Sequence, residues 1–223
     1  MTYMDFTLRY IKKQSVAKPI YTREVAEAIA EEFGISEKTA ALRAASSINR
    51  ILSEEKLPSL RCYQKGIYYK TEPTFFGEAV IDKARLIQDK YLLPDIGYET
   101  GEGALHRLGL TTWMPNKRTL ATNVAKQSIR YDQKLDVWIR PAKTKINRDN
   151  MKYLQTLDVL SALEGSPVDA EDPYGILAKH IERNKLHYDI LLAYAAMYYN
   201  QKTIFALAET AKRKEIKHET TRG

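Results

Sequence analysis

Apolar positions recur at helical spacing from the start of the chain. Tyr3, Phe6, Tyr10 and Ile11 share one face of a helix over residues 1–14, with Arg9, Lys12 and Lys13 elsewhere on it. Lys18-Pro19-Ile20-Tyr21 breaks that helix, because a proline disfavours helical geometry in the residue before it. Thr22 then stands as an N-cap, and Val25, Ala26, Ile29, Ala30 and Phe33 mark a second helix that Gly34 terminates. Ser36 caps a third. Its Ala41, Ala44, Ala45, Ile48, Ile51 and Leu52 are expected to face inward. Lys38, Thr39, Arg43, Ser46, Ser47 and Arg50 are expected to face out. After Leu57-Pro58 the period changes to that of strands: Leu60–Tyr63 and Ile67–Lys70 flank Gln64-Lys65-Gly66 as a hairpin.

Thr71–Thr74 is polar and carries Pro73, the best place for a domain boundary, giving domains of 1–72 and 73–223. Beyond it, Glu78 to Tyr91 reads as helix. Thr100 is expected to cap a short helix whose Ala104, Leu105 and Leu108 face a core, with Gly109 as its stop. Arg118–Thr122, Ser128–Tyr131 and Leu135–Arg140 read as an antiparallel meander. Met151–Glu164, Tyr174–Arg183, Tyr188–Tyr199 and Thr203–Lys214 then read as a helical bundle, punctuated by Gly165-Ser166-Pro167 and Asp172-Pro173. The expected fold class is α+β: an N-terminal winged helix-turn-helix, then a mixed domain with a meander and C-terminal helices.

Composition changes this picture in one respect. Of 223 residues, 44% are hydrophobic and 28% charged, ordinary for a globular chain. No apolar run approaches the roughly 18 residues of a membrane span. No signal peptide is read, and Cys62 is the only cysteine, so the expected setting is the cytoplasm. The balance of 35 Lys+Arg against 28 Asp+Glu leaves +7, which suits a polyanion. The excess is not spread evenly. Residues 36–70 hold seven basic and three acidic side chains, and residues 116–152 hold ten against three. A helix with short polar and basic groups outward fits the DNA major groove, where guanidinium groups and hydroxyls reach base edges. A hairpin after it would bring Lys65 to phosphate or the minor groove. Small folds of this kind also serve as protein-contact modules. In the second segment Lys143, Lys145 and Arg148 are either a solvated face or a surface for flanking phosphates.

Catalytic patterns are missing or incomplete. The glycines of 97–109 precede no Gly-Lys-Ser/Thr and form no GxGxxG, so they read as turns. Asp136-Val137-Trp138 offers one carboxylate where nucleotidyl transfer uses two, one residue apart, to hold metal ions. Glu215-Ile216-Lys217 matches the Glu-x-Lys of metal nucleases, but without a preceding strand. The four histidines, His106, His180, His187 and His218, lack ligand spacing, and no metal or cofactor is expected. Trp113 reads as a core residue, His106 as a helix-surface or half-buried one, and Tyr194, Tyr198 and Tyr199 as packing groups.

One stretch is distinctive: Gly103-Ala104-Leu105, Leu108-Gly109-Leu110-Thr111-Thr112 and Met114-Pro115, followed by Leu120-Ala121-Thr122-Asn123. With the hairpin end Gly66-Ile67-Tyr68-Tyr69, it resembles the AbiEi-type antitoxins of type IV toxin–antitoxin (abortive infection) systems, over roughly residues 1–145. Trp113-Met114 stands where that family often has Gln-Val. The resemblance implies a winged helix that represses its own operon at inverted repeats in double-stranded DNA. It further implies a second domain that opposes a cognate nucleotidyltransferase toxin without necessarily binding it, and no catalysis by this chain. The alternatives are a DNA-processing nuclease with a targeting module, and a repressor whose second domain senses a ligand.

Overall fold

The computed structural model describes residues 1–220, with side chains through Lys214. The chain forms two compact units that divide between Leu86 and Ile87. Thr71–Thr74, the expected boundary, leads into a second hairpin, and the division falls further on. Both units mix helix and strand. Among the described residues no helix is long and apolar enough to cross a membrane.

The first unit opens with α1 (Tyr3–Lys13), started by a capping box: the Asp5 amide donates to the Thr2 hydroxyl, and the Asp5 carboxylate accepts from Thr2. Next come β1 (Ile20–Tyr21), α2 (Thr22–Phe33), α3 (Glu37–Ser53), β2 (Leu60–Gln64) and β3 (Ile67–Lys70). The strands lie antiparallel in the order β1-β3-β2. Ile11, Val25, Ile29, Ile48 and Ile51 are fully buried and make the shared core of the three helices. Two registers depart from expectation. Ala40 rather than Ala41 is buried on α3, because the helix starts at Glu37 and its inner face runs Ala40, Ala44, Ser47, Ile48 and Ile51. Thr22 is the first residue of α2, not its cap; Tyr21 holds that place without a side-chain bond, since it belongs to β1. A two-stranded hairpin, β4 (Pro73–Thr74) with β5 (Gly77–Glu78), follows, so the helix expected from Glu78 begins only at Lys83.

Helix α4 (Lys83–Tyr91) carries the chain across the division. The second unit then has β6 (Gly97–Thr100), α5 (Glu102–Arg107), β7 (Arg118–Thr122), β8 (Arg130–Asp132) and β9 (Val137–Arg140). Helices α6 (Met151–Ala162), α7 (Pro173–Arg183), α8 (Tyr188–Tyr198) and α9 (Gln201–Thr220) complete it, close to the expected bundle. The sheet is not an antiparallel meander. Its order is β6-β7-β9-β8, with β9 parallel to β7 and antiparallel to β8. The chain leaves β7, runs out to the edge as β8, and returns through a tight hairpin as the inner strand β9. That hairpin is fixed by Asp132, whose carboxylate accepts from the Lys134 and Leu135 amides. Thr100 belongs to β6 and does not cap α5; Gly101, with φ +66°, occupies that cap.

Alternation along the strands gives one sheet face Tyr98, Thr100, Thr119, Ala121, Trp138, Arg140 and Tyr131. At the Tyr98–Ala121 end α6 covers it, and Tyr98, Ala121, Ile146 and Leu154 pack together. At the Thr119–Trp138 end it is open.

Candidate nucleic-acid interface

In the first unit the outward face of α3 is Lys38, Thr39, Leu42, Arg43, Ser46, Asn49 and Arg50, all exposed. No acidic side chain interrupts it between Lys38 and Ser53. Ser47 is not part of it: the residue is 6% exposed and belongs to the inner edge. Ser36 caps the helix by accepting from the Thr39 amide at 3.3 Å, and its hydroxyl lies 2.9 Å from that of Thr39. Arg43 stands over the Tyr3 ring of α1 at 5.4 Å, and Arg50 pairs with Glu54 at 2.9 Å. Exposed pairs of this kind are worth under about 1 kcal/mol, so a phosphate or a base edge can displace them. The middle of the face belongs to Leu42 and Asn49, which sequence pattern alone did not single out. A leucine breaks the polar face by type, and only its 68% exposure places it there. Lys65 is exposed at the tip of the β2–β3 hairpin, where Gly66 has φ +85°. Thr22 anchors this tip, its amide donating to the Gly66 carbonyl at 3.0 Å.

In the second unit Lys143, Lys145 and Arg148 are exposed between β9 and α6, with the Lys143 ammonium 5.8 Å from the Tyr199 ring centre. This loop is held from beneath. The Asn123 side chain donates to the Ile146 and Asp95 carbonyls and accepts from the Ile146 amide. Asn150 donates to the Lys145 carbonyl.

The Gly103–Pro115 stretch is largely architectural. Leu105 and Leu110 are fully buried, with Leu108 packed partly against them. Gly103 faces the Glu99 carboxylate so closely that a Cβ there would lie 2.6 Å from Oε1. Glu99 is buried in β6 and gripped by Arg118 at 3.0 Å and by Arg107. Burial pulls both guanidinium pKa values below their ordinary level, and the neighbouring Arg118 charge adds to the effect on Arg107. Gly109 has φ +72°, which lets the chain turn back so that the Leu110 amide donates to the Leu105 carbonyl. Thr111 accepts from the Trp113 amide, and Thr112 donates through amide and hydroxyl to Asp169, holding that carboxyl below its usual range. His106 is half-buried, with Nδ1 3.2 Å from the Thr111 carbonyl. Pro115 lines an open groove together with Trp113, which is 59% exposed instead of core. The turn at Thr111–Thr112 leads the indole away from the hydrophobic cluster below.

A buried polar centre lies beneath the sheet. Asp158 on α6 accepts from Tyr98, Thr100 and Arg140 on one oxygen and from Tyr199 on the other, all within 3.1 Å. Burial, and then the Asp158 charge, push both phenols far above their normal pKa, so each stays a donor. Tyr199 is therefore a hydrogen-bonding member of this centre as well as a packing group. Among the described residues no three His, Cys, Asp or Glu side chains converge as a metal site would require. The side chains of Glu215-Ile216-Lys217 and His218 lie outside the described residues. No protein-family model matches the chain, and no match is found among curated proteins.

Proposed function

We propose that the protein is a cytoplasmic DNA-binding antitoxin that represses its own operon and counteracts a nucleotidyltransferase toxin. The observation that carries the DNA part is the α3 face: one lysine, two arginines, two hydroxyls, one amide and one leucine between Lys38 and Arg50, without an acid. Each has a partner in the major groove. Guanidinium groups match guanine, an amide matches adenine, and an aliphatic group matches the thymine methyl. On this reading α2 and α3 form the helix-turn-helix and β2–β3 is the wing, with Lys65 at phosphate. Ser36 and Thr39 at the start of α3 are placed for backbone contacts, because a helix N-terminus favours anions. Lys143, Lys145 and Arg148 supply further phosphate contacts. The antitoxin part rests on the resemblance of residues 1–145 to the AbiEi-type chains. The second unit, which carries the Leu-Gly-Leu-Thr-Thr segment, is the part that opposes the toxin.

Two measurements test this. Fluorescence anisotropy with the protein's own promoter is expected to give binding that survives competitor DNA, and an Arg43→Ala/Arg50→Ala double variant is expected to lose it. Co-expression with the neighbouring gene is expected to restore growth that the neighbour alone arrests. Unchanged promoter binding by the double variant refutes the first part. Failure to rescue refutes the second.

A further inference from the structure

The chain has two tryptophans, and both line the same groove. Trp138 stands on β9 at the open end of the sheet face, 38% exposed, its ring 5.1 Å from that of Tyr131 on the adjacent strand. Trp113 enters from the loop after α5. Burying large aromatic rings is among the strongest favourable terms in folding, so two indoles left in one solvent-open groove point to a ligand with flat faces. The groove encloses about 990 Å³, enough for a nucleotide, and its open shape would let a polymer enter and leave sideways.

The surrounding chemistry narrows the choice. Asn116 and Glu102 line the groove with an amide and a carboxylate, groups that hydrogen-bond base edges. At the rim the Lys117 ammonium donates to the Tyr131 hydroxyl at 2.7 Å and lies 3.4 Å from the Asp136 carboxylate. Such an exposed pair is weak, and a phosphate can displace it. A smaller recess of about 240 Å³ shares Gly101 and Thr119 with the groove. It is lined by Arg140 and Lys143 beside the Thr100 and Ser161 hydroxyls, and also by the Asp158 carboxylate, whose charge Arg140 offsets at 2.5 Å. Arg140 is occupied by Asp158, whereas Lys143 has no carboxylate partner among the described residues and can take a phosphate. The segment that supplies most of these groups, residues 116–152, holds ten basic residues against three acidic.

We propose that this groove binds unpaired nucleotides of a single-stranded nucleic acid, with bases stacked on Trp138 and Trp113 and phosphates at Lys117 and Lys143. A duplex hides its base faces, so it cannot use two indole platforms; unstacked bases can, whatever their sequence. This site is separate from the α3 face and serves a different form of nucleic acid.

Because both indoles lie in the groove, tryptophan emission, excited at the red edge where tyrosine does not absorb, reports on this site in the intact protein. Titration with twelve-nucleotide oligo(U) and oligo(dT) at low salt is expected to quench it saturably, and the two probes show whether the ribose hydroxyl matters. With a dye-labelled oligonucleotide, Trp138→Ala should weaken binding about tenfold, within the range for loss of one stacking platform. Lys117→Glu with Lys143→Glu, both at exposed positions, should weaken it further and flatten its salt dependence while leaving circular dichroism unchanged. The Arg43→Ala/Arg50→Ala variant should keep it. Absence of quenching by either oligonucleotide overturns the proposal. So does binding that the charge-reversal variant retains, or that the α3 variant loses.

Discussion

At the scale of single residues, the second unit depends on buried charge and on close backbone approach. Asp158 accepts four hydrogen bonds, and removing it would leave the Arg140 guanidinium, itself mostly covered, without its anion. Asp158→Ala is expected to cost about 3 kcal/mol in urea unfolding, the lower end for breaking a buried pair. Two glycines make a sharper contrast. A Cβ on Gly97 would lie 2.2 Å from the Tyr91 carbonyl oxygen and 2.6 Å from that of Ala121, both backbone atoms that cannot move aside cheaply. Gly109 has open space around it and only a positive φ to lose. Gly97→Ala is therefore expected to destabilise by about 3 kcal/mol as an overpacking change. Gly109→Ala should cost only about 1 kcal/mol from its left-handed backbone. Equal midpoints for the two variants would contradict the geometry. Thr22 and Ser47 show what local pattern misses at this scale. A threonine before a helix reads as a cap, but a strand pairing some forty residues away consumes its amide. A serine at the edge of a helical face reads as outward until the neighbouring helices close over it.

At the scale of elements, α3 and α7 carry opposite lessons about charge. The α3 face predicts a division of labour: Leu42→Ser and Asn49→Ala should relax sequence preference in a promoter competition assay, each by about 1–3 kcal/mol against the wrong base. Substitution of Lys65 should weaken all duplexes alike. On α7, burial lowers the pKa of His180, and Arg183 and Lys152 add to the effect. The folded state thus binds fewer protons here than the unfolded chain. Stability rises with pH through the ordinary histidine range and is lost as the pH falls below about 6.5. His180→Gln should flatten the thermal midpoint between pH 5 and pH 7. The C-terminal helices were legible in the sequence because Gly165-Ser166-Pro167 and Asp172-Pro173 punctuate them and their apolar spacing is undisturbed. Strand β6 was not legible. Its Glu99 breaks any apolar alternation, and what makes a buried glutamate tolerable, Arg107 and Arg118, arrives from α5 and β7. The parallel β7–β9 pairing was hidden for a related reason: three short strands in sequence suggest a meander, and nothing local marks which becomes central. The groove was hidden because a large aromatic residue is read as core by default, and neither indole is.

At the scale of the whole molecule, the basic excess is concentrated where the proposed duplex and single-strand sites lie. If Lys143, Lys145 and Arg148 meet phosphates, replacing all three with glutamine should lower the slope of log K against log salt by up to about 0.9 per lost contact for duplex DNA. An unchanged slope would leave them as solvated side chains. The two units also differ in a way that binding does not touch. Cys62, exposed on β2, is the only thiol and belongs to the first unit, whereas both tryptophans belong to the second. Nature has thus sorted the two most useful optical handles between the two halves. A dye placed on the thiol would follow the melting of one half while indole emission follows the other in the same cuvette. Whether the halves melt as one cooperative body or as two can be read from the unmutated chain.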